Sequence, residues 1–216
     1  MIRVLLVDDH EIVRRGIRDL LEASGDITVV QEAGGVHEAE AAFMPGTVDV
    51  VVLDVRLPDG NGVELCRTLR DADPSLRCLM LTSFADDEAL DASVLAGAEG
   101  YVLKEVRGLD LVRSVKRVAI GGTLLEPAVI AAARARARVR SGDLDRLASL
   151  SPQERRILEL LSEGLTNREL AERLFLAEKT VKNYVSNLLA KLGFTGRTEA
   201  ALFSQRNLAR EDPGSR

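Results

Sequence analysis

MIRVLLVDDHE, residues 1–11, sets the apolar run Val4 to Val7 directly against two carboxylates, Asp8 and Asp9. Successive apolar residues of this kind suit a strand buried on both faces. Adjacent carboxylates at the mouth of an apolar core repel each other and cost free energy unless a cation neutralises them. A fold for this chain therefore has to supply that cation and give the pair a purpose.

Further short apolar runs follow the first. Ile27–Glu32, Val48–Leu53, Cys78–Thr82 and Tyr101–Leu103 read as strands, and between them Glu11–Ala23, Val36–Phe43, Gly62–Arg70, Asp87–Ala96 and Gly108–Ala119 carry helical spacing. In the first of these helices Ile12, Val13, Ile17, Leu20 and Leu21 recur at helical intervals. Strands alternating with helices predict a parallel sheet covered on both faces. Reactive groups in such sheets gather beyond the C-terminal strand ends, which is where Asp8 and Asp9 fall.

The composition sets outer limits. A chain of 216 residues with 46% hydrophobic and 29% charged residues can build one large or two small packed domains. No run of about 18 apolar residues occurs, nor an apolar stretch behind a basic start, so neither a membrane span nor a signal peptide is expected, and a cytoplasmic location is. The two cysteines, Cys66 and Cys78, form no CxxC pair and read as packed, reduced thiols. Residues 1–125 carry a net charge of −9, whereas residues 126–143 and 144–216 carry +2 each. An acidic module followed by a mildly basic one suggests different partners for the two halves, although +2 alone decides nothing.

The organisation expected is a first domain over 1–120, a linker over 121–146 and a second domain over 147–216. The linker stretch EPAVIAAARARARVRSGD is rich in Ala and Arg and poor in large apolar residues. It reads as an exposed helix ending near Ser141-Gly142. Beyond it, SPQE at 151–154 and TNRE at 166–169 both fit capping boxes. A short turn through Leu176 leads to the helix EKTVKNYVSNLLAKLG, closed by Gly193, and a last helix begins near Thr198. Val181, Val185, Leu188, Leu189 and Leu192 form one apolar stripe of that third helix. Lys179, Lys182, Asn183, Ser186 and Asn187 form a polar stripe free of acids. Two lysines near a helix N-terminus oppose the macrodipole, so a merely solvated face would more often carry Glu there. Lysine with asparagine suits phosphates and base edges in the major groove of double-stranded DNA.

Asp54 ends the run VDVVVLD and should share a sheet edge with Asp8 and Asp9. Three clustered carboxylates, with no histidine or cysteine ligand expected nearby, suit a hard, oxygen-seeking ion, Mg²⁺ or Mn²⁺, rather than zinc. Thr82 and Lys104 follow two other strands and would add a hydroxyl and a fixed positive charge. Those are the groups a phosphoryl oxygen requires.

DDH at 8–10, LDVRLPDGNG at 53–62, LTS at 81–83 and GYVLKE at 100–105 resemble the receiver domain of two-component response regulators. LTNRELAERL and AEKTVKNYVSNLLAKLG resemble the C-terminal helix-turn-helix of the LuxR type. The whole chain is thus similar to the NarL/FixJ family, with LDVRLPDGNGVELCR, LLSEGLTN and LAEKTVKNYVS most like its actinobacterial dormancy, or hypoxia-response, regulators. The resemblance implies a flavodoxin-like, doubly wound α/β receiver with a five-stranded parallel sheet, joined to a small all-α helix-turn-helix domain. It implies that Asp54 is the phosphoacceptor for a sensor histidine kinase and that the chain is not an enzyme. Asp9, Asp54 and the backbone carbonyl of Arg56 would ligate Mg²⁺, with Asp8 direct or through water. Lys104 would steady the phosphoryl oxygens, Thr82 would move to bond one of them, and Tyr101 would turn into the space released. Lys179, Thr180, Lys182, Asn183, Ser186 and Asn187 would meet DNA, and a homodimer would form when active and read an inverted-repeat operator.

Taken singly, each residue has a plainer reading: Asp54 and Thr82 as caps, Lys104 as a surface lysine, Tyr101 as core. Gly60 and Gly62 read as turn residues, and His10 and His37 are assigned no chemistry, with His10 expected at the border of the site. The family pattern is also broken in places. Glu105 follows Lys104 where many receivers have proline, and Ala177 is a poor N-cap for the third helix. Two other functions compete: an atypical regulator indifferent to phosphate, and a Mg²⁺-dependent aspartate phosphatase. The phosphatase would need an acid two residues after its nucleophile, where Arg56 stands.

Overall fold

The apolar runs become strands β1 (Ile2–Val7), β2 (Ile27–Ala33), β3 (Val50–Asp54), β6 (Arg77–Thr82) and β7 (Gly100–Leu103) in a computed structural model that describes residues 1–83, 86–105 and 108–208. They form one parallel sheet in the order β2-β1-β3-β6-β7. A two-residue antiparallel pair, β4 (Arg56–Leu57) and β5 (Gly60–Asn61), follows β3. Helices α1 (Glu11–Glu22), α2 (Val36–Ala42), α3 (Gly62–Ala72), α4 (Asp87–Leu95) and α5 (Gly108–Ala119) alternate with the sheet strands.

Alternation along each strand splits the core in two. Leu5, Val7, Val51, Leu53, Cys78 and Met80 pack with α3 residues such as Leu65, Cys66 and Leu69. Val4, Leu6, Val50, Val52, Leu79 and Leu81 pack against Ile17 and Leu21 of α1 and Leu111 and Val115 of α5. All of β3 is buried, as a central strand covered on both faces must be. The register aligns the strand ends: Val7 lies opposite Leu53, Asp54 opposite Leu81, and Thr82 opposite Leu103. The residues that end these strands, or come next, therefore collect at one sheet edge.

The chain divides after Ala137 into two units. Helix α6 (Pro127–Ala148) crosses that boundary and does not stop at Ser141-Gly142. A glycine inside a helix costs about 1 kcal/mol. Burial of Leu147, only 2% exposed among Ile157, Leu161 and Leu188, offsets that cost. Nor is the linker exposed throughout, since Ala133 is fully buried. Tertiary packing overrides the local breaker.

The second unit contains α7 (Pro152–Ser162), α8 (Asn167–Leu174), α9 (Glu178–Leu192) and α10 (Arg197–Asn207). Both capping boxes form, Ser151 with Glu154 and Thr166 with Glu169. Phe175 ends α8 in the left-handed region (φ 54°), and Gly193 closes α9 in the same way (φ 72°). Of the last helix, Ala200 and Phe203 complete the small core, whereas Leu202 is exposed. No helix among the described residues is long and apolar enough to cross a membrane.

Glu154 ties the second unit together. Its Oε2 accepts from the Ser151 amide at 2.8 Å and from Lys191 Nζ at 2.7 Å, joining the start of α7 to the end of α9. Lys191 first, and the Ser151 amide next, pull the Glu154 carboxyl from 4.5 down to about 2. A folded-state pKa below the unfolded one contributes stability that is present above the unfolded value and lost as pH falls towards the folded value. The melting temperature of the second unit should therefore drop between pH 4.5 and about 2. Glu154→Gln should flatten that fall in a calorimetric pH series.

Candidate functional site

Strand register delivers four side chains to one place. Asp8 follows β1, Asp54 ends β3, Thr82 ends β6 and Lys104 follows β7. Backbone bonds hold the ends in position: the Asp8 amide donates to Ala33, that of Val55 to Leu81, and that of Lys104 to Thr82 at 2.7 Å. Asp8, Asp54 and Thr82 are buried at 1%, 7% and 5% exposure, and Asp9 stands at the rim.

The cation demanded by the paired carboxylates is present within the chain. Lys104 Nζ stands 2.7 Å from Asp8 Oδ2 and 2.6 Å from Asp54 Oδ2. Burial pulls the Lys104 ammonium down, but the Asp54 carboxylate first and the Asp8 carboxylate next outweigh that and hold its pKa above the ordinary value. Only the contact with Asp54 has hydrogen-bonding geometry. Asp8 Oδ2 is buried and keeps an ion pair off the hydrogen-bonding direction, so its acceptor capacity is unspent. Asp8 Oδ1 accepts from the His10 amide at 2.9 Å, and the Arg56 amide reaches Asp54 Oδ1 at 3.3 Å. Ligand atoms of Asp8, Asp9, His10 and Asp54 all fall within 4.8 Å of one another. Three clustered carboxylates, two of them sharing one ammonium, leave an excess of negative charge, and an oxygen-rich donor set of this kind fits a hard divalent ion.

Neighbouring loops are pinned from outside. Arg14 Nη1 donates to the Asp8 carbonyl at 2.5 Å while its Nε reaches Glu32 on β2, so the loop after β1 is anchored to the next strand. Asp59 accepts from the amides of Val36 and His37 at 2.8 and 3.0 Å, stapling the loop after β3 to the start of α2. Those amides hold the Asp59 carboxyl below its usual range. A methyl group on Gly62 would sit 1.9 Å from the Asp54 carbonyl oxygen, so only glycine admits this close approach. Gly62 is thus a fitted contact beneath Asp54 as well as a turn residue. Its role, like those of Arg14 and Asp59, depends on long-range contacts that spacing does not reveal.

Tyr101 lies on β7 with its side chain hydrogen-bonded to that of Thr82, and burial pushes its hydroxyl up. Thr82 thus faces Tyr101 in this structure. His10 is largely exposed with Nδ1 2.6 Å from Asp9 Oδ1, at the border of the site where the sequence put it.

The second candidate surface is the outer face of α9. Val181, Val185, Leu188 and Leu192 are buried, whereas Lys179, Lys182, Asn183, Ser186 and Asn187 are exposed and Thr180 is half-buried. Ala177 makes no side-chain cap, as its identity foretold. Phe175, almost wholly exposed in the turn before α9, is a residue the sequence did not single out.

Known proteins divide in the same way. Residues 4–116 match the model of the response regulator receiver domain, and residues 148–204 that of the bacterial regulatory proteins of the luxR family. The DNA-binding transcriptional activator DevR/DosR of Mycobacterium tuberculosis is 55% identical over 214 residues, covering 99% of both chains. The transcriptional regulatory protein LiaR of Bacillus subtilis is 37% identical, covering 96% of this chain and 98% of its own. Among solved structures, the response regulator ChrA of a heme-sensing two-component system matches at 35% identity and a TM-score of 0.54, covering 96% of this chain and 98% of its own. RcsB of Salmonella typhimurium matches at 26% and 0.58, covering 94% and 98%.

Gly62→Ala should destabilise the first unit by about 1–3 kcal/mol, the usual cost of forcing a methyl group into a packed site. Thermal denaturation beside Gly142→Ala, where nothing lies within 4 Å, separates that clash from a general glycine effect.

Proposed function

The chain belongs to the two-component response regulators in which a receiver domain is joined to a luxR-family DNA-binding domain, and from that premise we propose how its residues carry the work. A phosphohistidine on a sensor kinase docks at the sheet edge, in the cytoplasm. A carboxylate oxygen of Asp54 attacks phosphorus; the O–P bond forms, the P–N bond breaks, and the imidazole leaves as its nitrogen takes a proton. Such transfer is mostly positioning and electrostatics, so the arrangement of the donors decides its rate.

Lys104 is already placed for this, with Nζ 2.6 Å from Asp54 Oδ2. That single contact carries the reading, because it fixes a positive charge where the phosphoryl oxygens must come. Asp9, Asp54 and the Arg56 carbonyl would hold Mg²⁺, or Mn²⁺ in its place, with Asp8 direct or through water. The unspent acceptor on Asp8 and the oxygen-rich donor set support that assignment. When bound, the ion supplies charge neutralisation for the phosphoryl oxygens. Thr82 gives up Tyr101 and turns its hydroxyl to a phosphoryl oxygen, and Tyr101 moves in response.

The output is DNA binding through α9, whose exposed lysines meet phosphates and whose asparagines meet base edges. Two copies reading an inverted repeat suit a module that exposes Leu202 on its last helix. The likeness to DevR/DosR extends the reading to a dormancy or hypoxia type of response.

Acetyl phosphate with Mg²⁺ should add one phosphoryl mass to the wild type and none to Asp54→Asn. The phosphorylated sample should gain both dimer and operator affinity. A wild type that gains mass without either change would overturn the switch. Lys182→Ala and Asn183→Ala should each lose discrimination of about 1–3 kcal/mol per base contact, read as the ratio of operator to random-DNA affinity at fixed salt.

A further inference from the structure

The linker helix is not a solvated spacer where it belongs to the first unit. Ala133 is fully buried, and Ile130 packs with it, Leu125, and Leu90 and Val94 of α4. Asp91 of α4 is 4% exposed and receives Arg136 in a two-pronged pair, Nε to Oδ2 and Nη2 to Oδ1. A carboxylate buried that far needs its charge met. The guanidinium fork fixes direction as well as distance.

Tyr101 joins this seat to the candidate phosphoryl site. Its side chain packs against both the main core cluster and the Val94–Leu125–Ala133 cluster. Its hydroxyl end is hydrogen-bonded to Thr82. A continuous path of contacts therefore runs from Thr82 through Tyr101 to Ile130 and Ala133, with Arg136 one helical turn beyond.

We propose that residues 127–137 are an arm seated on α4, clamped by the Arg136–Asp91 pair, and that the Thr82–Tyr101 bond sets how firmly the arm is held. The stimulus rests on the reading of Asp54 as phosphoacceptor; the seat itself does not. When Thr82 turns to a phosphoryl oxygen, Tyr101 keeps the Asp86 backbone but loses its Thr82 partner, the wall it gives the seat shifts, and the arm loosens. The arm runs on in sequence as α6 to Ala148, so its release changes the tether of the second unit. Linkage requires the reverse effect: loosening the arm favours the state in which Tyr101 has left Thr82.

Hydrogen exchange of the 127–137 amides in the full chain, followed by mass spectrometry, tests this. Arg136→Gln and Asp91→Asn should each speed exchange there on the order of tenfold, the scale of a lost charged hydrogen bond, without changing the β1 and β3 amides. Thr82→Val should loosen the same amides with no phosphodonor present. Acetyl phosphate should do so in the wild type only as far as the intact mass shows phosphorylation. Arg136 is half-exposed, so Arg136→Gln keeps the test open if Asp91→Asn fails to fold. Unchanged exchange in Arg136→Gln sinks the clamp. Faster exchange in Arg136→Gln beside wild-type exchange in Thr82→Val sinks the coupling. Absence of any mass gain condemns the phosphoacceptor reading instead, and leaves the three variants to decide the seat.

Discussion

One ammonium shared by two buried carboxylates organises the first unit. Asp8, just after β1, and Asp54, at the end of neighbouring β3, lie buried with their charge met by Lys104, which arrives from a third strand end. The sheet must hold its register for that meeting to occur. Slippage by one residue would turn Asp54 away and bring its apolar neighbour to the edge. The site thus imposes a constraint on the fold, and the surrounding devices serve it: the glycine beneath Asp54, the Arg14 bond to the Asp8 carbonyl, and the Asp59 staple on α2.

Much of this is legible in the sequence. Apolar runs and helical spacing locate all the strands of the main sheet, because a doubly covered parallel sheet needs near-continuous apolar strands. Asp8, Asp54, Thr82 and Lys104 were readable because each lies at the end of such a run. Both capping boxes were readable for a similar reason, since their partners lie three residues apart. Arg14, Asp59 and Asp91 were not. Their partners lie at Glu32, Val36 and Arg136, and local spacing cannot choose among the many Asp, Glu and Arg residues of a highly charged chain.

The linker shows the same limit from the other side. Composition marks 126–143 as a helix former poor in large apolar residues, and from that an exposed rod follows. Yet small size is what lets Ala133 reach complete burial against α4, and a single arginine among four meets a buried aspartate. Alanine-rich helices carry little hydrophobic signal whether they are solvated or closely seated. Only the neighbours distinguish the two. Gly142, read as a stop, is likewise overruled by Leu147 further along the chain.

Charge at the sheet edge explains why a small modification there should have distant effects. Asp8 and Asp54 face Lys104, with Asp9 at the rim. In the proposed transfer, formation of the acyl phosphate removes the charge of Asp54 and brings a group of about −1.5 to −2 with three strong acceptor oxygens. Lys104, already balancing Asp8, would not satisfy all of them, and the Thr82 hydroxyl, which bonds Tyr101, is an uncharged donor on a neighbouring strand end. Drawing that donor away strips Tyr101 of a polar partner at a point where its ring belongs to two packed clusters at once. Packed clusters switch between discrete arrangements rather than stretching, so a shift of one hydroxyl becomes a choice between seats for the helix that packs upon them.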